Sequence, residues 1–137
     1  VWRADSGERW RILENHTEAV NDMALRPQEK GALPMLVSVG EDRTVRFWQP
    51  TIGRLVRFSR LPARPQAVAW SRDGTRVFVV SNNGSLHIVD PDTTELIEKI
   101  QAIKGWAYSM TVHPEEPVVL VGGEKGILRK VNVKTGR

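Results

Sequence analysis

Cysteine is absent from the chain, which excludes a disulfide framework, a thiolate zinc site and a thiol nucleophile, and leaves the redox compartment unmarked. Long apolar runs are absent too. The longest, residues 77–80 and 118–121, are strand-sized, against the roughly 18 residues that a membrane-spanning helix needs. No apolar stretch at the start marks a secretory leader, and the chain opens on Val1-Trp2-Arg3 without an initiator methionine, which reads as a piece of something longer. Acids are scarce in one region: residues 43–76 hold Arg43, Arg46, Arg54, Arg57, Arg60, Arg64, Arg72 and Arg76 against the single carboxylate of Asp73.

What remains fits a soluble globular fold. The 137 residues are 40% hydrophobic and 26% charged, neither a disordered nor a membrane-embedded composition, and the length suits about one domain. The formal charge of +4 is concentrated in residues 43–76, which carry a net +7. Such a stretch reads either as a face that grips phosphates or carboxylates through guanidinium forks, or as a solvated outer surface.

The chain repeats itself. A polar turn followed by an alternating segment recurs at residues 6–13, 52–58 and 93–100, and a fourth turn, Thr135-Gly136-Arg137, closes the chain. Taking Gly7, Gly53, Thr94 and Gly136 as equivalent gives steps of 46, 41 and 42 residues, hence repeats at 7–52, 53–93 and 94–135. Each contains three further short runs: 20–25, 35–39 and 44–48; then 66–70, 76–80 and 85–89; then 107–112, 118–121 and 127–131. These are rich in β-branched and aromatic residues and bounded by turn residues such as Ser71-Arg72-Asp73-Gly74 and Asn83-Gly84, so all twelve runs are predicted strands. Residues 94–103 alone fit an amphipathic helix, with Ile97, Ile100 and Lys104 at helical spacing, but their counterparts alternate and the register predicts a strand.

With these residues in place, repeat one resembles a WD-repeat β-propeller unit. His16-Thr17-Glu18-Ala19-Val20-Asn21 is similar to the family's glycine-histidine turn, with Asn15 in place of the glycine, and residues 36–48 resemble its second and third strands, ending on Trp48 with Gln49 where the name-giving aspartate stands. The resemblance implies an all-β fold: four-stranded antiparallel blades, three repeats, an incomplete ring. It also implies that His16, Ser38, Asp42 and Trp48 form a buried hydrogen-bonded tetrad. In repeats two and three those positions read Leu61, Val79, Asn83, Val89 and Ile103, Val121, Lys125, Val131, so apolar packing replaces the tetrad.

Other chemistry is weaker. Serine, histidine and aspartate are also the parts of a hydrolytic triad, but Ser38 belongs to a plain strand without a nucleophile elbow. Residues 122–126 look like a phosphate loop, yet a strand rather than a helix follows them. His16, His87 and His113 share no metal-ligand spacing, so neither a metal nor a cofactor is implied. The resemblance places Ala19, Asn21, Glu41, Arg64, Gln66, Asn82, Trp106, Tyr108 and Glu124 on the face where a propeller takes partners. It implies a non-catalytic scaffold that binds another protein or peptide. The alternatives are an arginine-rich surface for nucleic acid or another polyanion, and a propeller module appended to an enzyme or electron carrier. Three repeats leave strand edges open, to be met by the remaining blades of a parent chain or by a second copy closing a six-bladed ring. Val1-Trp2 matches Phe47-Trp48 in register, which predicts another repeat upstream.

Overall fold

The computed structural model describes residues 1–27 and 30–137. Its regular structure is β-strand apart from one 3₁₀ turn, arranged in three antiparallel sheets that do not close into a ring. The first sheet runs in sequence order through β1 (Val20–Leu25), β2 (Leu36–Gly40), β3 (Thr44–Gln49) and β4 (Arg54–Arg60). The second follows with β5 (Pro65–Trp70), β6 (Val77–Ser81), β7 (Ser85–Val89) and β8 (Leu96–Gln101). The third has β9 (Ala107–Val112), β10 (Val118–Gly123) and β11 (Leu128–Asn132), with the 3₁₀ turn Glu124–Gly126 between the last two. Each repeat's first strand thus closes the preceding repeat's sheet: β4 and β8 pair with β3 and β7.

The helix-like segment resolves as a strand because β7 offers it a ladder, from Ser85 opposite Gln101 to Val89 opposite Leu96. The run at 6–13 corrects the expectation of twelve strands. Only residues 1–3 lie beside it, giving a single bridge between Trp2 and Arg9, so no ladder forms and the described residues hold eleven strands. The third sheet has three strands, not four, because no strand among the described residues follows β11 to close it as β4 and β8 close the others.

Alternation along these strands builds two dry interfaces. Val37, Val39, Val45 and Phe47 of the first sheet meet Leu61, Val68, Trp70, Val77, Val79 and Val89 of the second. On the second sheet's other face, Phe78, Val80, Leu86, Ile88 and Ile100 meet Ile103, Ala107, Val119, Val121 and Val131. Each large side chain fully buried here stabilises by about 1.5–3 kcal/mol. Polar bonds fix the first interface: Val68 N–H donates to Asp22 Oδ2 at 2.9 Å, and Trp70 Nε1 to the Ala24 carbonyl at 3.0 Å. Gly84 brings the second and third sheets together. Its φ is +80°, and a Cβ there would collide with the Ile103 carbonyl.

The innermost strands share one irregularity. The ladders slip by one residue between Val20 and Asp22, between Pro65 and Ala67, and between Ala107 and Ser109, leaving Asn21, Gln66 and Tyr108 as the extra residues of β-bulges. A bulge re-aims the side chain of its extra residue, and here it does so at the same place in three sheets.

Candidate interaction surface

The bulge residues belong to a pattern built three times. In each sheet the hairpin after the second strand folds back onto the residue just before the innermost strand. Glu41 N–H donates to the Ala19 carbonyl, Asn82 N–H to that of Arg64, and Glu124 N–H to that of Trp106, each at 2.8 Å. The nine residues singled out in sequence therefore fall into three equivalent sets, each with a pre-strand residue, a bulge residue and a hairpin residue. What the sets display differs. In the first, Asn21 Nδ2 donates to Glu41 Oε1 at 2.9 Å and to the Pro65 carbonyl at 2.8 Å. Arg64 Nε of the second set lies 2.9 Å from Glu41 Oε2, off the N–H axis, so the contact is an ion pair rather than a directed hydrogen bond. In the third, the rings of Trp106 and Tyr108 sit 6.2 Å apart and remain 45% and 54% exposed.

Behind the first set lies a connected polar network. Asp42 only accepts, so His16 donates to it from Nδ1, at 2.9 Å to Oδ2, and His16 Nε2 is left to accept from Ser38 Oγ at 2.7 Å. Ser38 Oγ in turn accepts from Trp48 Nε1 at 2.8 Å. Burial pushes the Asp42 carboxyl up, but hydrogen bonds from Thr44, His16 and the Thr17 N–H overcome it and hold it at about 2 against an ordinary 3.8. Gly40 makes room for this cluster, since a Cβ there would lie 3.0 Å from His16 Nδ1 and 2.8 Å from the Ala19 carbonyl. The order Ser38–His16–Asp42 is that of a hydrolytic triad, yet Ser38 is 4% exposed, its oxygen is engaged by the indole, and it lies in mid-strand.

The sequence pattern missed the residue that braces this network. Arg46 is buried, donates to Thr44 Oγ1 at 3.0 Å and Asn15 Oδ1 at 2.7 Å, and lies with its guanidinium 4.7 Å from the centre of the Phe58 ring. Its counterpart Arg129 binds the Ala102 carbonyl at 2.7 Å, and Ala102 corresponds to Asn15. Between them His87 occupies the same position in the second sheet, 1% exposed, with neither ring nitrogen hydrogen-bonded among the described residues. The only prior signal was the positional equivalence itself.

The arginine-dense stretch is dispersed. Arg54 donates to Gln49 Oε1, Arg57 to the Pro91 carbonyl, Arg72 to the Pro114 carbonyl and Arg76 to the Thr75 carbonyl, while Arg46 and Arg64 are engaged as described. Among the described residues only Arg43 and Arg60 of the eight have no side-chain partner. No helix among them is long and apolar enough to cross a membrane, and no group of three His, Asp or Glu could hold a metal ion. Two grooves complete the surface. One of about 840 Å³ lies on the first sheet's uncovered face beside Trp2, Met23, Leu25 and Trp48, and one of about 610 Å³ opens between the second and third sheets over Phe78, Ile88, Ile97 and Val112.

Comparison with known proteins agrees with this architecture. Residues 7–49 match the family described as WD domain, G-beta repeat. Similar curated proteins include eukaryotic translation initiation factor 3 subunit I of Neurospora crassa, 25% identical, with 99% of this chain and 42% of that protein aligned. A p21-activated protein kinase-interacting protein 1-like protein of Danio rerio is 28% identical, over 97% of this chain and 34% of its own. The WD repeat-containing protein VIP3 of Arabidopsis thaliana is 26% identical, over 90% and 42%. The chain thus spans well under half the length of these relatives. The repeated hairpin, the three stacked sheets and these matches agree: residues 7–49 carry a WD repeat, and the chain is similar to WD-repeat proteins over nearly its whole length.

Proposed function

We propose that the chain acts as a non-catalytic protein-interaction scaffold, docking a partner on the face formed by the pre-strand, bulge and hairpin residues. The observation that carries this is the triplicated 2.8 Å backbone bond. It holds the three positions of each blade in a fixed frame while the side chains differ, from Ala19, Asn21 and Glu41 to Trp106, Tyr108 and Glu124. A rigid frame with variable side chains suits recognition, and exposed tryptophan and tyrosine are typical anchors of binding energy. The names of relatives point the same way: one is a kinase-interacting protein and another a subunit of a translation factor. We read the His16–Ser38–Asp42–Trp48 network as a brace for blade one. All its buried polar groups are satisfied, and the β2 backbone N–H groups are taken up by the sheet rather than free to hold an oxyanion.

The test is quantitative capture of a partner, found by crosslinking to the wild-type chain, with Trp106→Ala and Tyr108→Ala compared after both are shown to be folded. Each substitution is expected to weaken capture at least tenfold, as truncation of an anchor does. Unchanged capture in both removes this face as the docking site. Nucleic acid is the poorer reading because six of the eight arginines are spent on protein acceptors; a generic DNA duplex at low salt is expected not to bind. A second copy is also a poorer partner. Blade three's uncovered face carries Leu120, Gly122, Leu128 and Lys130 where blade two has Phe78, Val80, Leu86 and Ile88, so the apolar contact made between blades within the chain is not available there.

A further inference from the structure

Glu41 and Glu124 occupy the same hairpin position in blades one and three, and only one of them is satisfied. The Glu41 carboxylate receives an amide hydrogen bond from Asn21 and the guanidinium of Arg64. Glu124 is half-buried, and its carboxylate packs so closely on Gly105 that a Cβ there would collide with it. Yet no donor among the described residues reaches it. The position of Asn21 is taken by Tyr108, which with Trp106 presents an aromatic pair instead. The rings are in contact with each other at 6.2 Å, so a guest stacks on an outer ring face rather than between them.

We propose that Trp106, Tyr108 and Glu124 form a subsite for an arginine side chain of a partner protein. The inference rests on the docking face proposed above and names what that face recognises. The chemistry is already displayed once within the chain, where Arg64 sits against Glu41 at 2.9 Å. A guanidinium stacks on an aromatic face within about 6 Å of the ring centre and offers a planar fork to a carboxylate, so one arginine answers both features of the subsite. Lysine, a hydrated point charge, answers them less well. Lys104 and Lys125 flank the subsite in sequence, but both are exposed to solvent and salt, whereas the Glu124 carboxylate is partly withdrawn from them.

The experiment uses short blocked peptides, identical except for a central arginine, lysine, leucine or glutamate, titrated into the labelled chain while the indole N–H signal of Trp106 is followed by NMR. That signal is assigned by its loss in Trp106→Phe. The arginine peptide is expected to move it saturably, the lysine peptide more weakly, and the glutamate peptide not at all. Glu124→Gln is expected to weaken arginine binding roughly tenfold, the loss of a charge-assisted hydrogen bond, and the spectrum of that variant away from the hairpin shows whether it is folded. If the leucine peptide binds as well as the arginine peptide, or Glu124→Gln binds arginine as the wild type does, the arginine subsite is wrong while the docking face stands. If the Trp106 signal answers to no peptide, the arginine subsite is likewise overturned, and the docking face is then judged separately by partner capture with Trp106→Ala and Tyr108→Ala.

Discussion

On blade one, the face that carries His16, Ser38, Asp42, Arg46 and Trp48 is a network of hydrogen bonds, whereas on blade two the same positions hold Leu61, Val79, Asn83, His87 and Val89. Strand pairing is the same in both, down to the bulge in the innermost strand. What differs is cover. Blade two's face is pressed against Val37, Val39, Val45 and Phe47 of blade one, where apolar side chains gain most from burial. Blade one's face borders a groove of about 840 Å³, and side chains there hold their positions through directed bonds rather than through packing alone. The comparison breaks most sharply at Asp42. Asp42→Ala strands donors of Thr17, Thr44 and His16 and leaves the buried Arg46 without its carboxylate neighbour. It is expected to cost about 4 kcal/mol in urea unfolding, as removing one partner of a buried charged cluster does. The Asp42 carboxyl is held low in the folded state, so its contribution is complete above about pH 4 and is lost as pH falls towards 2. The variant's stability is expected to be flatter than the wild type's in that window.

Blade two fails by a different route. Leu61, the counterpart of His16, is 5% exposed in the first interface, and Leu61→Ala is expected to cost about 3 kcal/mol through lost transfer energy and a residual cavity. Its loss is expected to be independent of pH between 2 and 4, unlike that of Asp42→Ala. A smaller effect follows at Asn83, the counterpart of Asp42. Its side chain makes one local bond, accepting from the Ser85 N–H at 3.1 Å. Asn83→Ala is therefore expected to cost about 1 kcal/mol, the worth of a turn-capping bond. An Asn83→Ala loss as large as that of Asp42→Ala would show that the hairpin position, and not the network, carries the energy.

The repeats and the strand order within them were legible because each leaves a local mark, whereas His16, Ser38, Asp42 and Trp48 were singled out by the family resemblance and Arg46 was not singled out as their brace. Alternation marks a strand, Asn83-Gly84 marks a turn, and Trp48 closing an alternating run marks a third strand. The bulges were not legible, since Asn21, Gln66 and Tyr108 look like ordinary alternating residues until the neighbouring strand is placed beside them. Trp106 and Tyr108 read as two residues sharing a face by simple alternation, but the bulge at Tyr108 means their proximity comes from re-aiming, not from the pleat. Residues 6–13 carried a strand's pattern without a strand's partner. The arginine-dense stretch misled for a related reason. Closeness in sequence sends Arg46 inward, Arg57 towards blade two and Arg72 towards Pro114, because a strand reverses its side chains at every residue and the chain reverses at every hairpin.

His87 separates the two blades most finely. Arg46 and Arg129, in the same position of their blades, each reach an acceptor at the residue preceding the tetrad's histidine position, but the shorter imidazole of His87 reaches none. Burial among the valines of β6 and β7 pushes its pKa below the usual 6.5, and the charge of Lys99, directly opposite on β8, pushes it the same way. The folded state therefore holds fewer protons on this ring than the unfolded chain does. Stability from a neutral His87 is complete above about pH 6.5 and is lost as pH falls through the lower folded value. At neutral pH His87→Leu is expected to change stability by less than about 1.5 kcal/mol in either direction, because an apolar side chain of similar bulk suits that core. Between pH 7 and pH 5.5 the two proteins part: the wild type is expected to lose stability in urea and the variant to keep it. Acid would then loosen blade two's interface at a pH where Asp42 still holds blade one, and parallel curves for the two proteins over that range would show that the ring is hydrated in the native state.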